Sequence, residues 1–368
     1  MKAQAVMKKT VLLLMLIVAP GVMAQTADWK TSWDETLTKA RTEGKVVVSG
    51  PPSQQLRQTM PAAFHARFGI TLEYLGGRSS ETATKLRAER QAGVDTVDLM
   101  IAGIQTMATI LYREKLLDPL KPVLVLPEVV EASKWKNGKL WFSDPEDHFI
   151  LRLSNTVTTT FHINTDKVKP GDLRSVRDLL DPKWKGKISL QDPTVPGSGS
   201  NQAAHLYVQF GEDFVKRLYV DQKPVISRDT RQLTDWLARG TYPITLGAED
   251  AQVDQLRKEG LPISSLDTLA DLPGEISAGF GQVALLNHVP HPNAAKVFVN
   301  WLASKEGSEI FARAMGVSPT RNDIDESFLP PEVIPHAGVK YFDTYDWEFT
   351  VTKKEEVRLR MKELLRAQ

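Results

Sequence analysis

The sequence predicts an α/β fold, mainly parallel sheets flanked by helices, arranged as two domains. Three observations predict it. Apolar runs of strand length alternate with helical periods from Lys45 to Ala102. A late apolar run, Gln282 to Asn287, precedes two amphipathic helical stretches, and these need a sheet laid down earlier to pack on. The 368 residues contain no cysteine, are 42% hydrophobic and 25% charged, and exceed the size of a single core. A chain of that size buries enough surface to fold without disulfide staples.

Residues 1–24 read as an export address. Lys8-Lys9 forms a basic region, Val11 to Val18 an apolar stretch too short to span a bilayer, and Val22-Met23-Ala24 a cleavage site before Gln25. Met7 is an alternative start. No cysteine follows the cleavage site, so no lipid anchor is expected. Removing residues 1–24, which hold Lys2, Lys8, Lys9 and no acid, leaves 344 residues and takes the formal charge from +1 to −2. That balance argues against nucleic acid or an anionic membrane as the main partner. The mature protein is expected to be periplasmic.

The elements follow in order. Lys45 to Ser49 is a buried strand ended by Gly50-Pro51-Pro52. Leu56, Met60, Phe64 and Phe68 fall on one side of a helix that Gly69 closes, with Pro61 a kink. Ile70 to Leu75 is the second strand. Gly77 to Ser80 opens a polar helix through Gln91, and Thr96 to Ala102 is the third strand. This spacing is βαβ and implies parallel pairing. Leu116 to Pro127 is a surface path, and Gly138 to Phe142 a short hairpin arm. Asn155 to Asn164 is one strand, rich in β-branched and aromatic residues. Lys187 to Leu190, Val225 to Ser227 and Tyr242 to Leu246 are strands, with Leu261 to Ile263 an edge strand. Helices start after Pro196-Gly197 and at Arg228-Asp229-Thr230. Pro292 starts a helix whose apolar face is Ala294, Val297, Phe298, Trp301 and Leu302. Ser304 caps the next, and Gly316 stops it. The last helix carries Val357, Met361, Leu364 and Leu365 as a stripe.

The passages ETATKLRAERQAGVDTVDLMIAG, HPNAAKVFVNWLASKEGSEIF and GVSPTR, with a strand ending Asn287-His288, resemble periplasmic solute-binding proteins of ABC importers. The branch is the one that includes ferric-iron and 2-aminoethylphosphonate binders. The resemblance implies a type II periplasmic-binding-protein fold with two crossover strands. Domain one would be 27–156 plus 272–317, and domain two 157–271 plus 318–368. It also implies hinge closure on a solute, delivery to an ABC permease in the inner membrane, and a monomer without cofactor that binds rather than converts.

Four strand ends are short, polar and carry Gly or Ser: Ser49-Gly50; Arg78-Ser79-Ser80 after Gly77; Ser198-Gly199-Ser200-Asn201; and Ser227-Arg228. In open α/β sheets, ligands sit beyond the carboxyl ends of strands. Free N–H groups at helix starts favour an anion there, although Ser and Gly also serve as plain caps. Arg78 and Arg228 are candidate forks for a carboxylate or phosphonate. Glu249-Asp250 could face a ligand amine, or could complement a helix start.

Ferric binders of the resembling family place adjacent tyrosines after a strand such as Tyr242 to Leu246. Here that place reads Gly247-Ala248-Glu249-Asp250, and the chain has no Tyr-Tyr pair. His288 and His291 are flanked by prolines and make no zinc motif, so no metal site is assigned. There is no phosphate-binding P-loop, no G-x-G-x-x-G and no G-x-S-x-G elbow. The expected function is capture of a small anionic organic solute. A ferric-iron binder lacking the tyrosine pair and an exported hydrolase using Glu249 and Asp250 are the alternatives.

Overall fold

The computed structural model describes residues 21–158, 161–169, 171–195, 197–248, 250–266 and 269–366, with only the backbone described at residues 21–28, 250 and 251. Most of the expected export address lies outside the described residues, and so does Glu249. Among the described residues no helix is long and apolar enough to cross a membrane.

Helix α1 (Gly21–Glu43) leads into β1 (Lys45–Gly50), α2 (Gln54–Phe68), β2 (Thr71–Gly76), α3 (Ser79–Gln91) and β3 (Leu99–Ala102). The α2 start is capped by Ser53, whose Oγ accepts from the Leu56 N–H at 3.2 Å. Pro61 sits inside α2 without ending it. β1 pairs in parallel with both β2 and β3. Val46 and Val48 enter one apolar cluster and Val47 another, the two-residue alternation of a strand covered on both faces.

The chain continues through α4 (Ile104–Thr106), a π-helical turn at Met107–Tyr112, β4 (Leu117–Asp118), α5 (Pro127–Val130) and β5 (Ile150–Arg152). The hairpin arm expected at 138–142 does not form. Asn137 and Gly138 both take positive φ in a tight turn, and Phe142 makes only an isolated bridge to Leu151. The strand expected over 155–164 divides into β6 (Thr156–Thr158) and β7 (Phe161–Asn164), which belong to different sheets.

Next come β8 (Ile188–Gln191), α6 (Ser198–Lys216), β9 (Val225–Ser227), α7 (Thr230–Ala238), β10 (Ile244–Leu246), α8 (Asp250–Lys258) and β11 (Ile263–Leu266). With β7 they build a second sheet of order β11-β7-β10-β8-β9. β8 runs parallel to β9 and β10, whereas β7 is antiparallel to β10 and β11.

The chain then returns through β12 (Glu275–Ser277) and β13 (Gln282–Leu286) to α9 (Pro292–Ala303) and α10 (Lys305–Met315). β13 inserts between β3 and β4 of the first sheet, antiparallel to β3, β4 and β5. Both sheets are therefore parallel among their βαβ strands and antiparallel where a strand arrives from the other sheet.

The return is fixed by two acids. Asp98 is fully buried and accepts from the backbone N–H of Val47 at 2.7 Å and of His291 at 2.8 Å. Glu43, the last residue of α1, accepts from the N–H groups of Asn293 and Ala294 at the start of α9. Its negative charge complements the positive end of that helix. The α2 and α9 faces meet through aromatic rings, Phe64 lying 5.5 Å from Phe298 and 5.3 Å from Trp301.

A third, small sheet joins the other two. β12 pairs antiparallel with β6 and parallel with β14 (Phe342–Asp343). Arg152 at the end of β5 is fully buried against it. Its guanidinium donates to Asp343 Oδ2 at 2.7 Å, Asn155 Oδ1 at 2.6 Å and the Ser154 carbonyl at 3.2 Å. The Trp141 and Tyr345 rings lie 4.5 and 5.5 Å from it. The tail ends in α11 (Lys354–Arg366), whose Val357 and Met361 pack in the apolar cluster of the second sheet.

Candidate functional site

A cavity of about 440 Å³ brings three parts of the chain together. One wall is Gly103, Ile104 and Gln105 beyond the carboxyl end of β3, continuing to Thr109 and Arg113 along the π-helical turn. The opposite wall is the start of α6, with Gly197, Ser200 and Asn201. The tail supplies Tyr345, Thr350, Val351, Lys354, Glu355 and Arg358. A Cβ on Gly103 would stand 3.3 Å from the Gly279 carbonyl, so this strand end approaches the crossing segment closely.

The α6 start is held by its own residues. Gly197 has φ +152°, which favours glycine. A Cβ on Gly199 would lie 2.5 Å from the Asp192 carbonyl and 2.8 Å from that of Gln191, so the helix can sit this close to the end of β8 only with glycine there. Ser200 Oγ accepts from the Gly197 N–H at 3.2 Å and donates to the Gly197 carbonyl at 2.8 Å. The positive end of α6 thus stands at the cavity.

Three cationic side chains line the same space. Arg358 is held by Glu355, with Nε 2.8 Å from Oε2, and donates to the Thr194 carbonyl at 3.0 Å. The hydrogen bond from Arg358 keeps the Glu355 carboxyl below its usual range. Arg113 is exposed, and among the described residues it has no side-chain hydrogen bond or ion pair. Lys354 is half-buried and likewise unpaired, its ammonium 5.8 Å from the Phe349 ring centroid. Burial lowers Lys354 to about 8, against the opposing pull of Glu275. Burial also raises the Tyr345 phenol, which donates to the Gly279 carbonyl at 2.5 Å.

Of the residues singled out by sequence, Ser200 and Asn201 line this cavity. Ser198 bonds Gln191, and Gly199 is buried under the helix start. Ser49 is buried and lines a separate cavity of about 100 Å³ with Gly76 and Gly77, its Oγ donating to Thr82 Oγ1 at 3.2 Å. Gly50 pairs with Gly76. Arg78 precedes α3 without a side-chain cap bond; its side chain is 82% exposed and lies 3.7 Å from Glu81. Ser79 Oγ is buried with no partner among the described residues, and Ser80 is exposed. Ser227 Oγ donates to Gln232 and accepts from the Asp229 N–H. Arg228 is engaged by Asp192, Nε to Oδ2 at 2.7 Å. Burial works against the Asp192 charge, but Thr194 and Arg228 hold its carboxyl below the usual range. Asp250 begins α8, and its side chain, like all of Glu249, lies outside the described residues.

Sequence reasoning missed Arg113, Tyr345, Lys354 and Arg358. The signal for the last two was a helix crowded with Lys, Arg and Glu, which reads as an ordinary solvated face.

Two mixed sheets joined by a short crossing sheet, with a polar cavity between a strand end and a helix start, define the type II periplasmic-binding-protein architecture. The chain belongs to the bacterial extracellular solute-binding protein family, whose model matches residues 59–337. A Haemophilus influenzae protein described as "Uncharacterized protein" is 24% identical over 286 residues, covering 74% of this chain and 76% of that one. Among solved structures, iron-bound HitA from Pseudomonas aeruginosa is similar at a TM-score of 0.61 and 17% identity, over 86% of this chain and 99% of that one. Trichodesmium FutA with iron and citrate is similar at 0.67 and 16%, over 87% and 99%. AfuA from Actinobacillus pleuropneumoniae, with fructose-6-phosphate bound, is similar at 0.58 and 18%, over 88% and 99%. At these identities the likeness speaks for the fold. The family is one of binding proteins that work with ABC transporter permeases.

Proposed function

We propose that this protein captures a small anionic organic solute, of carboxylate or phosphonate type, in the 440 Å³ cavity and delivers it to an ABC permease. The observation that carries this reading is the charge of the cavity. Glu355 neutralises Arg358, while among the described residues Arg113 and Lys354 have no ion-pair partner beside the positive end of α6. Two free side-chain cations and a helix start favour a dianion over a monoanion.

The two lobes we propose are 27–156 plus 272–317 and 157–271 plus 318–368, with one adjustment to the tail. Arg321 is fully buried and donates to the carbonyls of Glu128 and Ala303, tying that part of the tail to the first lobe. The last crossing then falls at β14. A solute touching Arg113 on one lobe and Ser200 on the other gains contacts on closure, which is what favours a closed state. Arg78, Ser79, Ser49 and Arg228 are secondary candidates, able to join the site as the walls approach.

Ferric iron is the second reading, because iron is present in two of the similar structures. The cavity's donors fit it less well. Among the described residues its one carboxylate, Glu355, is engaged by Arg358, and its one phenol, Tyr345, donates to a carbonyl. The test is mass spectrometry and visible absorption of the protein gently extracted from its own cells. The anion reading expects a colourless preparation carrying an organic anion at one per chain. A charge-transfer band with bound iron, or a neutral or cationic solute, overturns it.

A further inference from the structure

We propose that Lys354 is the residue that grips the solute's anionic group, its donors left free because the neighbouring Glu275 is held by His205. The proposal deepens the anion reading of the cavity and rests on it.

The geometry sets Lys354 apart from the other cations. Arg358 is committed to Glu355 and the Thr194 carbonyl, and Arg113 is exposed, where water and salt screen it. Lys354 is half-buried, lines the cavity, and among the described residues makes no hydrogen bond or ion pair. A desolvated ammonium without a partner is a cost to the fold, and such groups cluster at functional sites.

Its natural partner is occupied elsewhere. Glu275 on β12 is buried and attracts Lys354, but its Oε1 is bound to His205 Nδ1 at 2.5 Å. His205 is stacked on Phe342 at 4.0 Å, so the carboxylate is held through α6 and β14. Lys354 therefore feels Glu275 without pairing with it and keeps its donors for an incoming anion.

The position also suits closure. Lys354 begins α11, which packs on α6, and it follows the π-helical turn Phe349–Lys353, which packs on α4 and the turn Met107–Tyr112 of the first lobe. An anion held there touches the joint between the lobes. The charged and titratable groups around it are Glu275 from β12, His205 from α6, Arg113 from the first lobe, Tyr345 and Glu348 from the tail, and Lys353, Glu355 and Arg358 beside it in sequence.

The experiment uses the full mature chain, as wild type, Lys354→Met and Lys354→Arg. Inorganic phosphate, citrate and fructose 6-phosphate are the probes. Melts without probe come first. Lys354→Met should melt at or above the wild-type temperature, because it removes an unpaired cation. A melting point lower by more than about 3 °C, the scale of a loss near 1 kcal/mol for a domain of this size, makes Lys354 structural and overturns the proposal.

Calorimetry at pH 7 with any probe that stabilises the wild type follows. Lys354→Met should bind about ten- to a hundredfold more weakly, the scale of a charge-assisted hydrogen bond. Wild-type affinity should fall between pH 8 and 10 as the free ammonium is lost, whereas Lys354→Arg should bind without that fall. Equal binding by Lys354→Met overturns the role of Lys354 and leaves the anion reading standing. If no probe stabilises the wild type, the solute released by unfolding decides. An anion whose retention survives Lys354→Met overturns this proposal alone, and a neutral or cationic solute overturns both.

Discussion

Replacing Arg152 by Met should destabilise the junction between the lobes more than most single changes. Met keeps an apolar stem of similar length and removes every donor, together with the guanidinium that lies 4.5 Å from the Trp141 ring. Three acceptors then lose their partner: Asn155 Oδ1, the Ser154 carbonyl and Asp343 Oδ2. The first two belong to buried residues, and a buried acceptor left unsatisfied costs about 1–3 kcal/mol. The Asp343 side chain is 25% exposed and can recover water, so its share is discounted. The expected loss is about 3–5 kcal/mol, the range for breaking a buried pair from one side. Asp343→Asn should cost less, because Arg152 keeps its other two acceptors. The double variant should cost less than the two singles summed, because both remove the same pair. Urea unfolding followed by calorimetry on all three variants measures this. An Arg152→Met loss under about 1 kcal/mol would refute the reading of Arg152 as the tie between β5 and β14.

Gly199→Ala should lower the melting temperature and weaken solute binding together, because a Cβ there meets the Asp192 carbonyl at 2.5 Å and must push the α6 start out of place. Asp98→Asn should cost about 2–3 kcal/mol in denaturant unfolding, since an amide cannot accept at both oxygens from Val47 and His291. Lys354 has an ordinary value of 10.5 and is lowered to about 8 by burial, so between those values the unfolded chain binds more protons. Solute-free wild type should therefore gain stability, of order 1–3 kcal/mol, as pH rises from 8 to 10.5. A Lys354→Met comparison by thermal melts should lack that rise.

The strands and helices that carry the walls were legible in the sequence for physical reasons. Val46 to Val48 and Val283 to Leu286 are apolar on both faces because helices cover both sides of the first sheet. The late position of β13 also announced a return to the first sheet. β12 and β14 were not legible, being three and two residues long and fixed by distant partners, β14 by β12 and β12 in turn by β6, more than a hundred residues earlier. The division of 155–164 into β6 and β7 was hidden by a uniform run of β-branched residues that suits either sheet. In the site, Ser200 and Asn201 followed from a glycine-serine helix start. Arg113, Lys354 and Arg358 sit among alternating charges, and only packing shows which cation is left unpaired. Arg78 and Arg228, the forks suggested by sequence, lie beside Glu81 and Asp192.

The measurement closest to the central claim is a crystal structure of the protein with the solute that co-purifies with it. One anionic molecule is expected in the 440 Å³ cavity, within hydrogen-bond distance of Lys354 and of the α6 start at Ser198 to Asn201, with the lobes closer than in the solute-free protein. A solute bound outside that cavity, or bound in it with its anionic group away from both Lys354 and α6, would show that this cavity is not an anion site.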